Sequence, residues 1–200
     1  THQSSITFAV YMDNFEISQK LGTYAKVLEL HEGNAFKIKA LASAAYTLKK
    51  MQEPILGMPP EKWAEIRGVG KSVSGNISEL GETGDLQALN DLLGQTPLGI
   101  VKILQIKGLG PKKVRSIWRD MEIDSVEDLY DACRENRLVE VKGFGTKTQA
   151  EIIKNIEFML ANEGHFHYAR IHGFAMDLMD HLQEQLPDAL FEFVGDFARN

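Results

Sequence analysis

Three segments of this 200-residue chain align without a gap, and their shared pattern constrains the fold more than any other feature. Ile66-Arg67-Gly68-Val69-Gly70-Lys71, Ile106-Lys107-Gly108-Leu109-Gly110-Pro111 and Val141-Lys142-Gly143-Phe144-Gly145-Thr146 each read apolar, basic, glycine, apolar, glycine. Self-similarity of this kind marks a repeated supersecondary unit. Each segment is followed by apolar residues at helical spacing: Val73, Ile77 and Leu80; Val114, Ile117 and Trp118; Ala150, Ile153 and Ile156. Each is preceded by a short apolar stretch, such as Ile100 to Leu104. The spacing predicts helix, tight turn, helix, three times over. Between the second and third units, Asp124-Ser125-Val126-Glu127-Asp128-Leu129 reads as a capped helix start, with Ser125 three residues ahead of Asp128.

The glycines dictate the chemistry of the turns. Joining two helices in so few residues needs positive φ or close backbone approach, which glycine supplies without Cβ strain. The amides at the next helix's N-terminus then point outward unpaired, where the helix dipole also favours an anion, and a phosphate is the natural occupant. The expected contacts are Gly68, Val69 and Gly70, Gly108, Leu109 and Gly110, and Gly143 and Gly145, supported by Lys71, Lys107, Lys112, Lys113, Lys142 and Lys147. Pro111 suits the first helical position, whose amide has no intrahelical partner. Contacts through main-chain amides carry no base readout, so sequence-independent binding is expected. Gly70-Lys71-Ser72 resembles the end of a nucleotide-binding P-loop, but the glycine required five residues earlier is Glu65 and no apolar strand precedes it.

A net charge of −6 looks unsuited to a nucleic-acid ligand until it is mapped along the chain. Residues 155–200 carry eight acids against Arg170 and Arg199, so residues 1–154 balance at twenty of each sign. Within them, Lys102 to Arg119 holds six basic residues and no acid, and Lys37 to Lys50 holds four lysines and no acid. These are two local basic patches in a neutral region. Apolar content of 44% supports an ordinary packed core, and no apolar run approaches the roughly 18 residues that cross a bilayer. The lone Cys133 forms no internal disulfide and reads as a buried thiol in a reducing compartment.

Tandem turns of this form resemble the helix-hairpin-helix units of DNA repair proteins, and the flanks narrow the resemblance. Phe15-Glu16-Ile17, Leu28-Glu29-Leu30, Gly33-Asn34-Ala35-Phe36-Lys37-Ile38 and Ala44-Ala45 resemble the opening helices of family X DNA polymerases. The first hairpin and Thr83-Gly84-Asp85-Leu86 continue that likeness, and the second and third hairpins are similar to the fingers of its bacterial members. Phe191 to Arg199 resembles the strand and turn that open the palm, with Asp196 where serine is usual.

The resemblance implies an all-α chain of tandem helix-hairpin-helix domains, with a short β-strand near the C-terminus. It implies three regions: a lyase-like domain over residues 1–84, a fingers-like domain over 85–160, and a linking helix with the start of a palm over 161–200. The implied role is a DNA-binding front end for repair gap filling on gapped or nicked duplex, cytoplasmic and nucleoid-associated, without membrane contact. The full protein would be a DNA polymerase using Mg2+ or Mn2+, with a phosphoesterase (PHP) domain in bacterial members. The metal-binding aspartates lie downstream in the family, so these 200 residues are expected neither to polymerise nor to degrade DNA. Lys37 matches a family residue that contacts a 5′-phosphate, while the lyase lysine is replaced by Asn76, so lyase activity by the usual Schiff base is not expected. Family hairpins also hold K+ or Na+ through main-chain carbonyls, here those of Ala64, Ile66 and Val69, and of Leu104, Ile106 and Leu109.

Other residues read more plainly. His165, His167, His172, Asp177, Asp180 and His181 have poor ligand spacing, since only Asp177 and His181 share a helical face, and they read as exposed and non-ligating. Phe166, Ile171, Phe174, Leu178 and Leu182 form a helical packing stripe. Trp63 and Trp118 read as core residues rather than base-stacking platforms. The alternative function is a non-enzymatic interaction scaffold in a DNA repair complex, against which the intact glycine turns argue.

Overall fold

The computed structural model describes residues 12–161 and, beyond them, 178–179, 181–183 and 185–186. Among the described residues there is no strand. The expected C-terminal strand, the palm-like turn, His165, His167, His172, Asp177, Asp180 and the stripe at Phe166, Ile171 and Phe174 lie outside them. Described residues up to Ile156 form one compact unit, and a second begins at Glu157.

Helix α1 (Asn14–Leu30) opens on a reciprocal cap. The Asp13 carboxylate accepts the Glu16 amide at 2.8 Å, and the Glu16 carboxylate accepts the Asp13 amide at 3.1 Å. Helix α2 (Ala35–Leu48) follows after a four-residue link and starts under Asn34, whose side-chain oxygen accepts the amides of Phe36 and Lys37 at 2.9 and 3.1 Å. The two pair as a helical hairpin. Two short 3-10 helices, Ile55–Gly57 and Pro60–Glu65, lead to α3 (Lys71–Thr83), which packs on both of them and on α2. Ile17, Leu21, Leu41, Leu48, Ile55, Ile77, Leu80 and Leu86 are fully buried in this half.

The second half runs through α4 (Gln87–Gly94), α5 (Leu98–Ile103), α6 (Pro111–Asp120), α7 (Val126–Arg134), a 3-10 turn at Leu138–Glu140, and α8 (Thr146–Ala161). Ser125 caps α7 as the sequence predicts, its hydroxyl oxygen accepting the Asp128 amide at 3.0 Å. Gly99 on α5 lies hard against the carbonyl of Asp124, which lets α5 and α7 approach closely. Helix α1 touches α4 and α6 as well as α2, so it is a wall shared by both halves. Three polar ties reinforce that wall: Lys20 to Asp85 at 2.8 Å, His31 to Thr96 at 2.7 Å, and the Arg115–Glu32 ion pair.

Four local expectations need correction. The first helix of hairpins one and three is a short 3-10 turn, not a full helix. Pro59 and Pro60 withhold amides before the first, and the third has only residues 135–137 between α7 and its start. On α8 the inward face is Gln149, Ile152 and Ile156, with Ala150 exposed and Ile153 half-buried. The register follows from Gln149, which is held inward by a 2.9 Å bond from its amide to the Asn136 side chain. Trp63 is core, its indole donating to the Ile55 carbonyl at 3.0 Å, but Trp118 is only half-buried, edge-on to His31 and covered by Arg119.

Candidate nucleic-acid interface

The three turns are built alike. In each, the residue between the two glycines donates its amide to the apolar residue that opens the motif: Val69 to Ile66 at 2.9 Å, Leu109 to Ile106 at 3.1 Å, Phe144 to Val141 at 3.1 Å. In each, the first glycine has positive φ, at 88° for Gly68, 91° for Gly108 and 97° for Gly143. A four-residue turn closed this way with positive φ at its third position is the type II arrangement, which explains the first glycine. Val69, Leu109 and Phe144 are buried, so their side chains anchor each turn to the core and only their main chain can face a ligand.

The second glycine has a different explanation. Gly70 (φ −89°, ψ −179°) and Gly110 (φ −85°, ψ 166°) are in extended backbone that any residue adopts. Among the described residues, no atom beyond the adjacent residues lies within 4 Å of where a Cβ would stand on Gly70, Gly110 or Gly145. Neither conformation nor internal packing therefore requires glycine there, whereas close approach of an outside group does. The ends that these residues begin are also open: α3 and α6 have no side-chain cap, in contrast to α1, α2 and α7. Unpaired amides at an exposed helix start form a ready anion seat.

The lysines flank these seats. Lys71, Lys107, Lys112, Lys142 and Lys147 are exposed, and Lys113 is half-buried with its ammonium 5.5 Å from the Phe144 ring centroid. Lys37 is drawn partly inward, its ammonium 4.9 Å from the ring of buried Tyr24, and the amides around it are already taken by Asn34. Asn76 lies half-buried on α3, its side-chain nitrogen without a partner among the described residues. An amide cannot form a Schiff base.

Two of the carbonyls expected to hold a monovalent cation, those of Ile66 and Ile106, have a free lone pair. Ile66 and Ile106 each accept one turn amide, and a carbonyl has two lone pairs, so each keeps one for a hard cation. Among the described residues no group of three His, Cys, Asp or Glu side chains could hold a metal. Cys133 is buried, and burial pushes its thiol up to about 11.

Sequence reasoning missed several surface and linking residues. Phe36 is 86% exposed and Tyr46 63% exposed on α2, with Lys50 4.0 Å from the Tyr46 ring centroid and Lys49 5.8 Å from that of Phe15. The signal was present as Tyr46 inside the acid-free stretch from Lys37 to Lys50 and Phe36 immediately before it. Asn155 on α8 was also missed; its side-chain amide donates to the Lys107 carbonyl at 2.8 Å, joining the third hairpin's helix to the second hairpin's turn. Nothing local marks such a link across 48 residues.

Comparison with known proteins agrees with this geometry. A family model described as a helix-hairpin-helix domain matches residues 12–86, and one described as a SAM-like helix-hairpin-helix tandem matches residues 100–157. The DNA polymerase/3′-5′ exonuclease PolX of Bacillus subtilis (strain 168) is 26% identical over 188 residues, which is 94% of this chain and 33% of that relative. The chain thus spans about a third of the length of the curated relative it matches. Two helix-hairpin-helix matches, together with this similarity along 94% of the chain, support a family X DNA polymerase N-terminal region.

Proposed function

We propose that this chain is the DNA-binding front end of a repair polymerase that fills gaps, gripping the backbone of gapped or nicked duplex without regard to sequence. The observation that carries the reading is the second glycine of each turn, open on its outer side and required by nothing among the described residues. Phosphate oxygens seated on the amides of α3, α6 and α8 would exploit that space, with the flanking lysines supplying charge. K+ or Na+ on the carbonyls of Ala64, Ile66 and Val69, and of Leu104, Ile106 and Leu109, would add a positive charge at the first two turns. The first hairpin and Lys37 take the downstream 5′ end in this reading, and the second and third hairpins take duplex backbone. With Asn76 at the lyase position, the chain's contribution is to bind and orient DNA. Synthesis, with its Mg2+ or Mn2+, belongs to the whole polymerase.

The test is fluorescence anisotropy with a one-nucleotide gapped duplex carrying either a 5′-phosphate or a 5′-hydroxyl downstream of the gap, titrated with salt. Tighter binding to the phosphate, lost in Lys37→Ala or Lys71→Ala, supports gap recognition. Equal, salt-sensitive binding to both ends reduces the role to general duplex binding. Absence of binding at low salt overturns the DNA reading in favour of an interaction scaffold.

A further inference from the structure

We infer that Asn155 is a positioning residue for the second hairpin, holding its turn in the form that presents the Gly108 amide to DNA; this rests on the proposed backbone-binding role. The argument begins with the liability of glycine. Gly108 populates either sign of φ with comparable ease, so the sequence alone does not force the observed 91°. A type II turn differs from type I in the orientation of its central peptide, here Lys107–Gly108, and the i to i+3 hydrogen bond is compatible with both. Something outside the turn must select the form.

The first two hairpins meet that requirement differently. At the first, Gly68 is wedged against α2, where an added Cβ would stand 2.7 Å from the Ala44 nitrogen and 2.8 Å from the Ser43 hydroxyl. At the second, no atom of the described residues beyond the chain neighbours lies within 4 Å of the corresponding point on Gly108, so packing does not choose. There the choice falls to Asn155, whose amide takes the carbonyl of the central peptide itself at 2.8 Å. In a trans peptide the carbonyl and the following N–H point in opposite directions. Fixing the Lys107 carbonyl toward α8 therefore turns the Gly108 N–H away from α8, on an exposed part of the turn. The contact is reciprocated, since Lys113 of α6 covers the Phe144 ring in the third turn. Hairpins two and three thus preorganise each other, and a phosphate at the second meets a donor already aimed.

The experiment uses the whole chain, 15N-labelled, as wild type, Asn155→Ala and the isosteric Asn155→Asp, which keeps the shape and lacks the donor. In the free protein both variants are expected to shift or broaden the Gly108 amide signal while leaving Gly68 in place. Binding to a 20-base-pair duplex is expected to weaken three- to ten-fold, with the slope of log K against log salt reduced by about 0.9, the value for one phosphate. Unchanged Gly108 signal and affinity in both variants overturn the inference. So does a displacement of all three turns together with a lowered melting temperature, which marks Asn155 as a general stabiliser. Failure of the wild type to bind duplex sinks the DNA reading instead, and the Gly108 signal still decides the role of Asn155.

Discussion

Gly68 lies so close to the amide of Ala44 that a Cβ on it would stand 2.7 Å from that nitrogen, with the Ser43 carbonyl carbon at 2.9 Å. Both neighbours are helix backbone and cannot swing aside. Gly68→Ala therefore combines the strain of an alanine at positive φ, about 1 kcal/mol, with displacement of α2, and a total loss of about 3 kcal/mol or more is expected. Gly108→Ala and Gly143→Ala carry the strain without the clash and should lose about 1 kcal/mol each. Urea unfolding of the three variants measures the difference, and equal losses would contradict the packing at Gly68.

His31 joins the two halves through one defined tautomer. The Thr96 hydroxyl spends its proton on the Leu92 carbonyl at 2.7 Å, so the His31 Nε2–H must donate to the Thr96 oxygen. Burial first, and the Arg119 guanidinium second, lower the His31 pKa below 6.5. Because the folded value is the depressed one, the unfolded state binds the proton more readily. The contribution to stability is complete above 6.5 and is lost as pH falls through the folded value. Titration of the His31 ring signals should give a midpoint below 6.5, and a midpoint above it would contradict the environment described.

Asp85 gives a second, more acidic window. Hydrogen bonds from Lys20 at 2.8 Å and Asn90 at 2.9 Å hold its carboxyl down to about 2. The stabilisation is present above the unfolded value of 3.8 and disappears as pH falls toward 2. The side chain is half exposed, so solvent screening keeps the effect under about 1 kcal/mol. Asp85→Asn should be less stable than wild type at pH 7, with the gap closing near pH 2, by urea unfolding at each pH.

What the sequence made legible is what glycine geometry dictates locally. A repeated Gly-x-Gly after a basic residue has few backbone solutions, so the turns and the open helix starts after Gly70 and Gly110 follow from the local motif, while the structure is what assigns the positive φ to Gly68, Gly108 and Gly143. The cap at Ser125 and the core position of Trp63 were legible for the same local reasons. Features decided by distant partners were not. The inward turn of Gln149 depends on Asn136, the half-exposure of Trp118 on His31 and Arg119, and the orientation of the second turn on Asn155. Helical spacing on α8 fits two neighbouring faces nearly equally, and only the tertiary contact separates Ile152 from Ile153.

The central claim is that the second glycine of each turn is kept open for a phosphate, and the most direct measurement compares the wild type with the triple variant Gly70→Ala, Gly110→Ala, Gly145→Ala. Because those positions are conformationally ordinary and open, each substitution should change stability by no more than about 1 kcal/mol. Anisotropy with duplex DNA across a salt titration should nevertheless show at least a ten-fold loss of affinity and a shallower salt slope, as phosphate contacts are lost. A folded triple variant that binds DNA with wild-type affinity and slope would contradict the claim.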